Sequence, residues 1–123
     1  MRFLILLLFI GVTIFSCEDE QTNTDDLQAQ MNKIEEQINT IISKDCSSTE
    51  SCQARAIGVK PCGGPTHFII YASMTSESEL TELINQYDEL NRTYNEQTGI
   101  GSDCAIVSPP ELECSSGMCV EIE

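Results

Sequence analysis

The chain of 123 residues has no tryptophan, a single histidine, and six basic residues against twenty acidic ones. Each scarcity closes off a class of function. With so little positive charge a phosphate backbone is repelled, so no nucleic-acid partner is expected. Attraction to anionic lipid headgroups fails for the same reason. The lone histidine, His67, allows at most one Ser-His-Asp set, and nothing marks the serine or aspartate that would complete it. Cys-x-x-Cys is absent, so the tight ligand pairs favoured by zinc are missing. No Asp-rich loop has EF-hand spacing. Cys62-Gly63-Gly64-Pro65 lacks the lysine and following helix of a phosphate loop. The sequence therefore leads us to expect no catalytic residue, no metal and no cofactor. Internal repeats are also lacking.

What is present begins with a leader. Arg2 supplies a positive start, and Phe3 to Phe15 is an apolar run. That run is shorter than the about twenty helical residues that span a bilayer core, and it suits a signal h-region. Ile14-Phe15-Ser16-Cys17 resembles a lipobox, the processing site of bacterial lipoproteins: an aliphatic residue, then a small residue directly before the cysteine. Phe15 is bulkier than the usual residue of that pattern. The resemblance implies cleavage before Cys17 and lipid, including palmitate-type acyl chains, on Cys17. Two or more chains give stable anchoring, since each buried methylene contributes about 0.8 kcal/mol. Glu18-Asp19-Glu20 resembles the export patch of surface lipoproteins of the Bacteroidota. The implied address is the bacterial cell envelope, at the outer membrane. Without Arg2, five basic residues face the twenty acids, a mature net charge near −15. That acidity suits a soluble surface domain.

Four segments are expected: a signal peptide over 1–16, a lipidated cysteine and acidic tether over 17–25, an amphipathic helix over 26–44, and a cysteine-rich α+β domain over 45–123. In the helix Leu27, Met31, Ile34, Ile38 and Ile41 recur at steps of four and three, which is one apolar stripe. Docking on the domain is one use for it. Self-association or capture of an envelope protein is the other. Asn23 or Thr24 can cap its start. Beyond it, Gln53 to Val59 reads as a strand, and His67 to Ala72 as a central strand, apolar on both faces. A second helix is expected from Glu77 to Gln97, begun by a capping box at Ser76 and Glu79 and ended by Gly99. The tail reads as strands at Cys104–Ser108, Leu112–Cys114 and Met118–Ile122, with a two-residue turn at Ser116-Gly117 that sets Cys114 opposite Cys119. The expected fold class is α+β: a small disulfide-stabilised antiparallel sheet of three to four strands with one long packed helix, preceded by a separate amphipathic N-terminal helix.

Seven cysteines suit an oxidising compartment. With Cys17 lipidated, Cys46, Cys52, Cys62, Cys104, Cys114 and Cys119 remain, an even set for three disulfides. Cys62 with Cys104 comes first, tying the rigid Lys60–Pro65 loop to the chain beyond the second helix. Cys46 and Cys52 then pair with Cys114 and Cys119, or each pair closes locally.

Gly58 through Pro65, Tyr71-Ala72-Ser73, Tyr94-Asn95, Ser102-Asp103-Cys104 and the Cys114 to Cys119 hairpin together resemble a group of small secreted and lipoprotein domains of bacteria. The resemblance covers roughly residues 45–121 and implies domain boundaries but no activity. Two functions stay open. One is a membrane-anchored, non-catalytic binding or structural module that meets its partner through the Leu27–Ile41 stripe or through Lys60 and Pro61. The other is a proteinase inhibitor presenting the Lys60–Pro65 loop.

Overall fold

A computed structural model describes residues 23–122. The leader, Cys17 and most of the 17–25 tether lie outside the described residues.

The stripe and the caps produce two helices. α1 spans Thr24–Ile41, with the Asn23 side chain accepting from the Asp25 amide at 3.2 Å. α2 spans Glu77–Thr98 and ends at Gly99 in the left-handed conformation, φ 60°. The expected capping box is absent. The Ser76 side chain makes no cap bond, and its hydroxyl lies instead 3.5 Å from that of Ser78. The carboxylate fixed at this helix start is that of Glu77, 2.7 Å from the Tyr71 hydroxyl and 3.1 Å from the Arg55 guanidinium. Negative charge there also suits the positive end of the helix dipole.

β1 (Cys52–Ile57) and β2 (His67–Ala72) pair antiparallel, with Gln53 opposite Tyr71. β3 (Glu111–Ser115) and β4 (Met118–Ile122) form a second antiparallel pair, with Cys114 opposite Cys119. Ser116 and Gly117 turn the latter hairpin at φ 53° and 79°, the positive values a two-residue turn of matching twist requires. The described residues are thus α+β with two two-stranded sheets, rather than one sheet of three to four strands. The connector after α1 takes backbone hydrogen bonds from both hairpins, which do not pair with each other as one sheet. The Ala72 amide donates to Ser43 O at 2.6 Å on one side. On the other, the Cys119 amide donates to Lys44 O and the Cys46 amide to Gly117 O, and Asp45 bridges to Met118. β2 is accordingly not a central strand: Phe68 and Ile70 stay half-buried in a shallow cleft with Ile42 and Lys44.

Cys104–Ser108 is not a strand either. Cys104 has φ 53°, Asp103 accepts from the Ala105 amide two residues on, and Ile106 is 93% exposed. A local Asx turn has taken the backbone bonds that a strand partner would need.

The first helix is not separate. α1 lies along α2, and Met31, Ile34 and Ile38 share one core with Leu80, Leu83, Ile84 and Tyr87, floored by Ile57 of β1 and Tyr71 of β2. Leu27 is buried as well, and Ile41 packs against the core edge. Each such side chain contributes about 1.5–3 kcal/mol when fully buried. A stripe this apolar gains more by covering the matching stripe of α2 than by facing water.

Candidate functional site

The segment after β1 is held by bonds from several elements. Gly58 has φ 79°, and its amide donates to Asp88 Oδ1 at 2.7 Å. A Cβ built on Gly58 would lie 2.0 Å from Thr66 Oγ1, so both conformation and space demand glycine. The Val59 amide donates to Asn91 Oδ1 at 2.6 Å, and Asn95 Nδ2 donates to Val59 O at 2.6 Å. Asp88, Asn91 and Asn95 stand on one face of α2, and together they hold two consecutive residues of the segment. The loop then closes on itself: the Lys60 amide donates to Gly64 O at 2.9 Å and the Gly63 amide to Lys60 O at 2.8 Å. Thr66 ends it, giving both its amide and its hydroxyl to Ile57 O.

A covalent bond secures the far side. Cys62 is bonded to Cys104 across a separation of 42 residues. Lys60 Nζ donates to Asp103 Oδ1 at 3.1 Å and to Ala105 O at 2.9 Å, so the loop grips the chain beyond α2 by one bond and two charge-assisted contacts. The Ala105 amide, followed by Lys60, holds the Asp103 carboxyl below the usual carboxylate range. Burial pushes the Asp88 carboxyl up, partly offset by the Gly58 amide. Between loop and helix lies an open cleft of about 360 Å³ lined by Val59, Lys60, Pro61, Gly63, Arg92, Asn95 and Glu96.

The residues singled out in the sequence fall into distinct places. Pro61, Cys62, Gly63 and Gly64 are exposed at the tip. The Lys60 side chain is only 14% exposed and faces Asp103, so the loop does not present it. Leu27, Met31, Ile34 and Ile38 are in the core, so the stripe docks on the domain itself, the first of the two uses expected for it. His67 is exposed, with Nδ1 3.1 Å from the Thr66 hydroxyl. The three polar clamps of α2 were missed. Their trace in the sequence is an acid and two asparagines at i, i+3 and i+7, beside the apolar stripe of an otherwise regular helix.

The other two bridges are Cys46–Cys114 and Cys52–Cys119, both long-range, so the local alternative is not formed. The sulfurs of Cys46, Cys52 and Cys119 lie within 4.8 Å of one another. Spent in disulfides, they offer no thiolate to a metal. Three disulfides suggest an extracytoplasmic protein. Among the described residues no helix is long and apolar enough to cross a membrane. Set beside family models, curated proteins and solved structures, the chain matches none of them.

Proposed function

We propose that this chain is a lipoprotein of the bacterial cell envelope, anchored at the outer membrane by lipid on Cys17, whose folded part is a non-catalytic binding or structural module. The resemblance of its cysteine pattern to small secreted and lipoprotein domains is part of the same reading. One observation carries the binding reading: the exposed Pro61–Gly64 tip is held in place by the Cys62–Cys104 bond, the clamps of α2 and the largely covered Lys60 ammonium on Asp103. A surface fixed before contact loses little entropy on binding, which is what a recognition loop needs. Burial of the Leu27–Ile38 stripe supports the same face, because the tip is exposed and the stripe is not. The inward Lys60 side chain gives no support to a proteinase inhibitor that would offer it to a protease.

The test has two arms. Cells fed an alkyne-bearing fatty acid should yield labelled protein in the membrane fraction, and Cys17→Ser should lose both the label and the membrane association. Wild-type protein that stays unlabelled removes the anchor. In the second arm, crosslinking in the native envelope should recover a partner from the wild type and lose it with Pro61→Asp, a tip change that leaves the clamps intact. Equal recovery from both would remove the loop as the contact.

A further inference from the structure

We propose that the two bridges fastening the β3–β4 hairpin are an exchangeable pair: a thiolate that opens Cys46–Cys114 starts an internal reshuffle ending with Cys46 bonded to Cys52 and Cys114 bonded to Cys119. The proposal is independent of the anchor and of the loop reading. It rests on the sulfur cluster, in which Cys46 stands within 4.8 Å of both sulfurs of the other bridge. It rests equally on strand register, which sets Cys114 directly opposite Cys119. Facing residues of antiparallel strands have Cα atoms about 4.5–5.5 Å apart, within the span a disulfide closes. Accessibility gives the order of events. Both cysteines of Cys46–Cys114 are half-buried, whereas of the other bridge only Cys52 is, Cys119 being 3% exposed, so an outside thiolate reaches Cys46–Cys114 from either end.

The chemistry balances without net oxidation. A low-molecular-weight thiolate, or that of a thiol oxidoreductase, bonds to Cys114 Sγ and displaces the Cys46 thiolate. Cys46 Sγ attacks Cys52 Sγ, forming Cys46–Cys52 and releasing the Cys119 thiolate. Cys119 Sγ then attacks Cys114 Sγ, forming Cys114–Cys119 and expelling the catalyst as the thiolate that entered. Three bonds form, three break, and no electrons are gained or lost. Held so close, the internal steps compete well with attack by a second external thiol. The outcome is structural. Bridges spanning 68 and 67 residues are replaced by two local ones, and the hairpin is no longer covalently fastened to the connector and β1. Cys62–Cys104 lies outside the cluster and stays as it is.

The experiment uses the full chain with Cys17→Ser, so that no seventh thiol takes part. The folded protein is incubated with substoichiometric glutathione at mildly alkaline pH, quenched in acid, and mapped without reduction. Cleavage after Glu50 separates Cys46 from Cys52, and cleavage after Met118 separates Cys114 from Cys119. Peptides joined as Cys46–Cys52 and Cys114–Cys119 should rise from none as the native cross-links fall in step, while Cys62–Cys104 persists and free thiol never exceeds that added. Native linkages alone would overturn the proposal. So would scrambling that draws in Cys62 and Cys104 equally, since that reports general unfolding. In a second variant, Cys114→Ser leaves Cys46 as a lone thiol. With nothing added, alkylation should then mark Cys52 or Cys119 as well as Cys46, and marking confined to Cys46 would also overturn it.

Discussion

At the residue scale, Gly58 and Asp103 show how single groups set this loop. Gly58 and Gly99 share the left-handed conformation, but only Gly58 has a neighbour where a Cβ would go. Gly99→Ala should therefore cost about 1 kcal/mol, the left-handed penalty of an L-residue alone. Gly58→Ala meets the Thr66 hydroxyl as well, and a clash of that kind typically brings the loss to about 2–4 kcal/mol. Urea midpoints of the two variants check the contrast; equal losses would mean that Thr66 moves freely. Asp103 carries a pH signature. Its carboxyl is held low in the folded state by the Ala105 amide and then by Lys60. The unfolded chain therefore binds the proton more readily, and the contribution is present above the ordinary carboxylate value and lost as pH falls through the lowered one. Asp88 has the opposite sign: burial raises it, so the folded state takes up its proton first, and stability falls as pH rises through that interval. Asp103→Asn should lower the stability at neutral pH, more than at strongly acidic pH, in a pH series of thermal melts.

At the element scale, what could be read from sequence depended on whether the signal was local. Both helices were legible, because a stripe at steps of three and four needs no knowledge of its partner. The Ser116-Gly117 hairpin was legible through its turn, and its register followed. What failed needed a partner to be known. His67–Ala72 is apolar on both faces, which reads as a central strand, yet Phe68 and Ile70 stay half-buried in a shallow cleft beside Asn39, Ile42 and Lys44. Cys104–Ser108 has strand-like residues, but Asp103 captures the local amide and the disulfide fixes the turn. Ser76 and Glu79 have capping-box spacing, but Tyr71 and Arg55 fix a different carboxylate at the same helix start. Of the site, the loop punctuation was visible, whereas the Asp88, Asn91 and Asn95 clamps belong to a long-range docking that no local pattern encodes. Burial of the α1 stripe changes what a mutation there should do. Ile38→Ala in the shared core should cost about 2–5 kcal/mol by chemical denaturation, and Ile34→Asp with Ile38→Asp should unfold the protein. A native-like melt for the double aspartate variant would mean that α1 is dispensable to the core.

At the scale of the whole molecule, the hairpin is the part that burial alone does not hold. A two-stranded sheet is marginal in water. Among the described residues of β3 and β4 only Cys119 is a core residue. Beyond the connector's hydrogen bonds, its attachment rests on Cys46–Cys114 and Cys52–Cys119, which close nearly the same loop, with separations of 68 and 67 residues. With Cys62–Cys104 intact inside that loop, either bridge alone closes a circuit of about 26 residues and restricts the unfolded chain by about 3.5 kcal/mol in the chain-entropy treatment. Once one is in place, the second closes a circuit of only about a dozen residues and adds about 3 kcal/mol. Paired serine substitutions that remove either bridge should cost that smaller amount and leave a folded protein. Removing both should cost about 6 kcal/mol, slightly more than twice the single loss, and domains of this kind have only about 5–15 kcal/mol to lose. Denaturant titrations of the two single-bridge variants and the variant lacking both decide the matter. A last variant that loses no more than either single-bridge variant would show that the hairpin's attachment does not rest on the bridges.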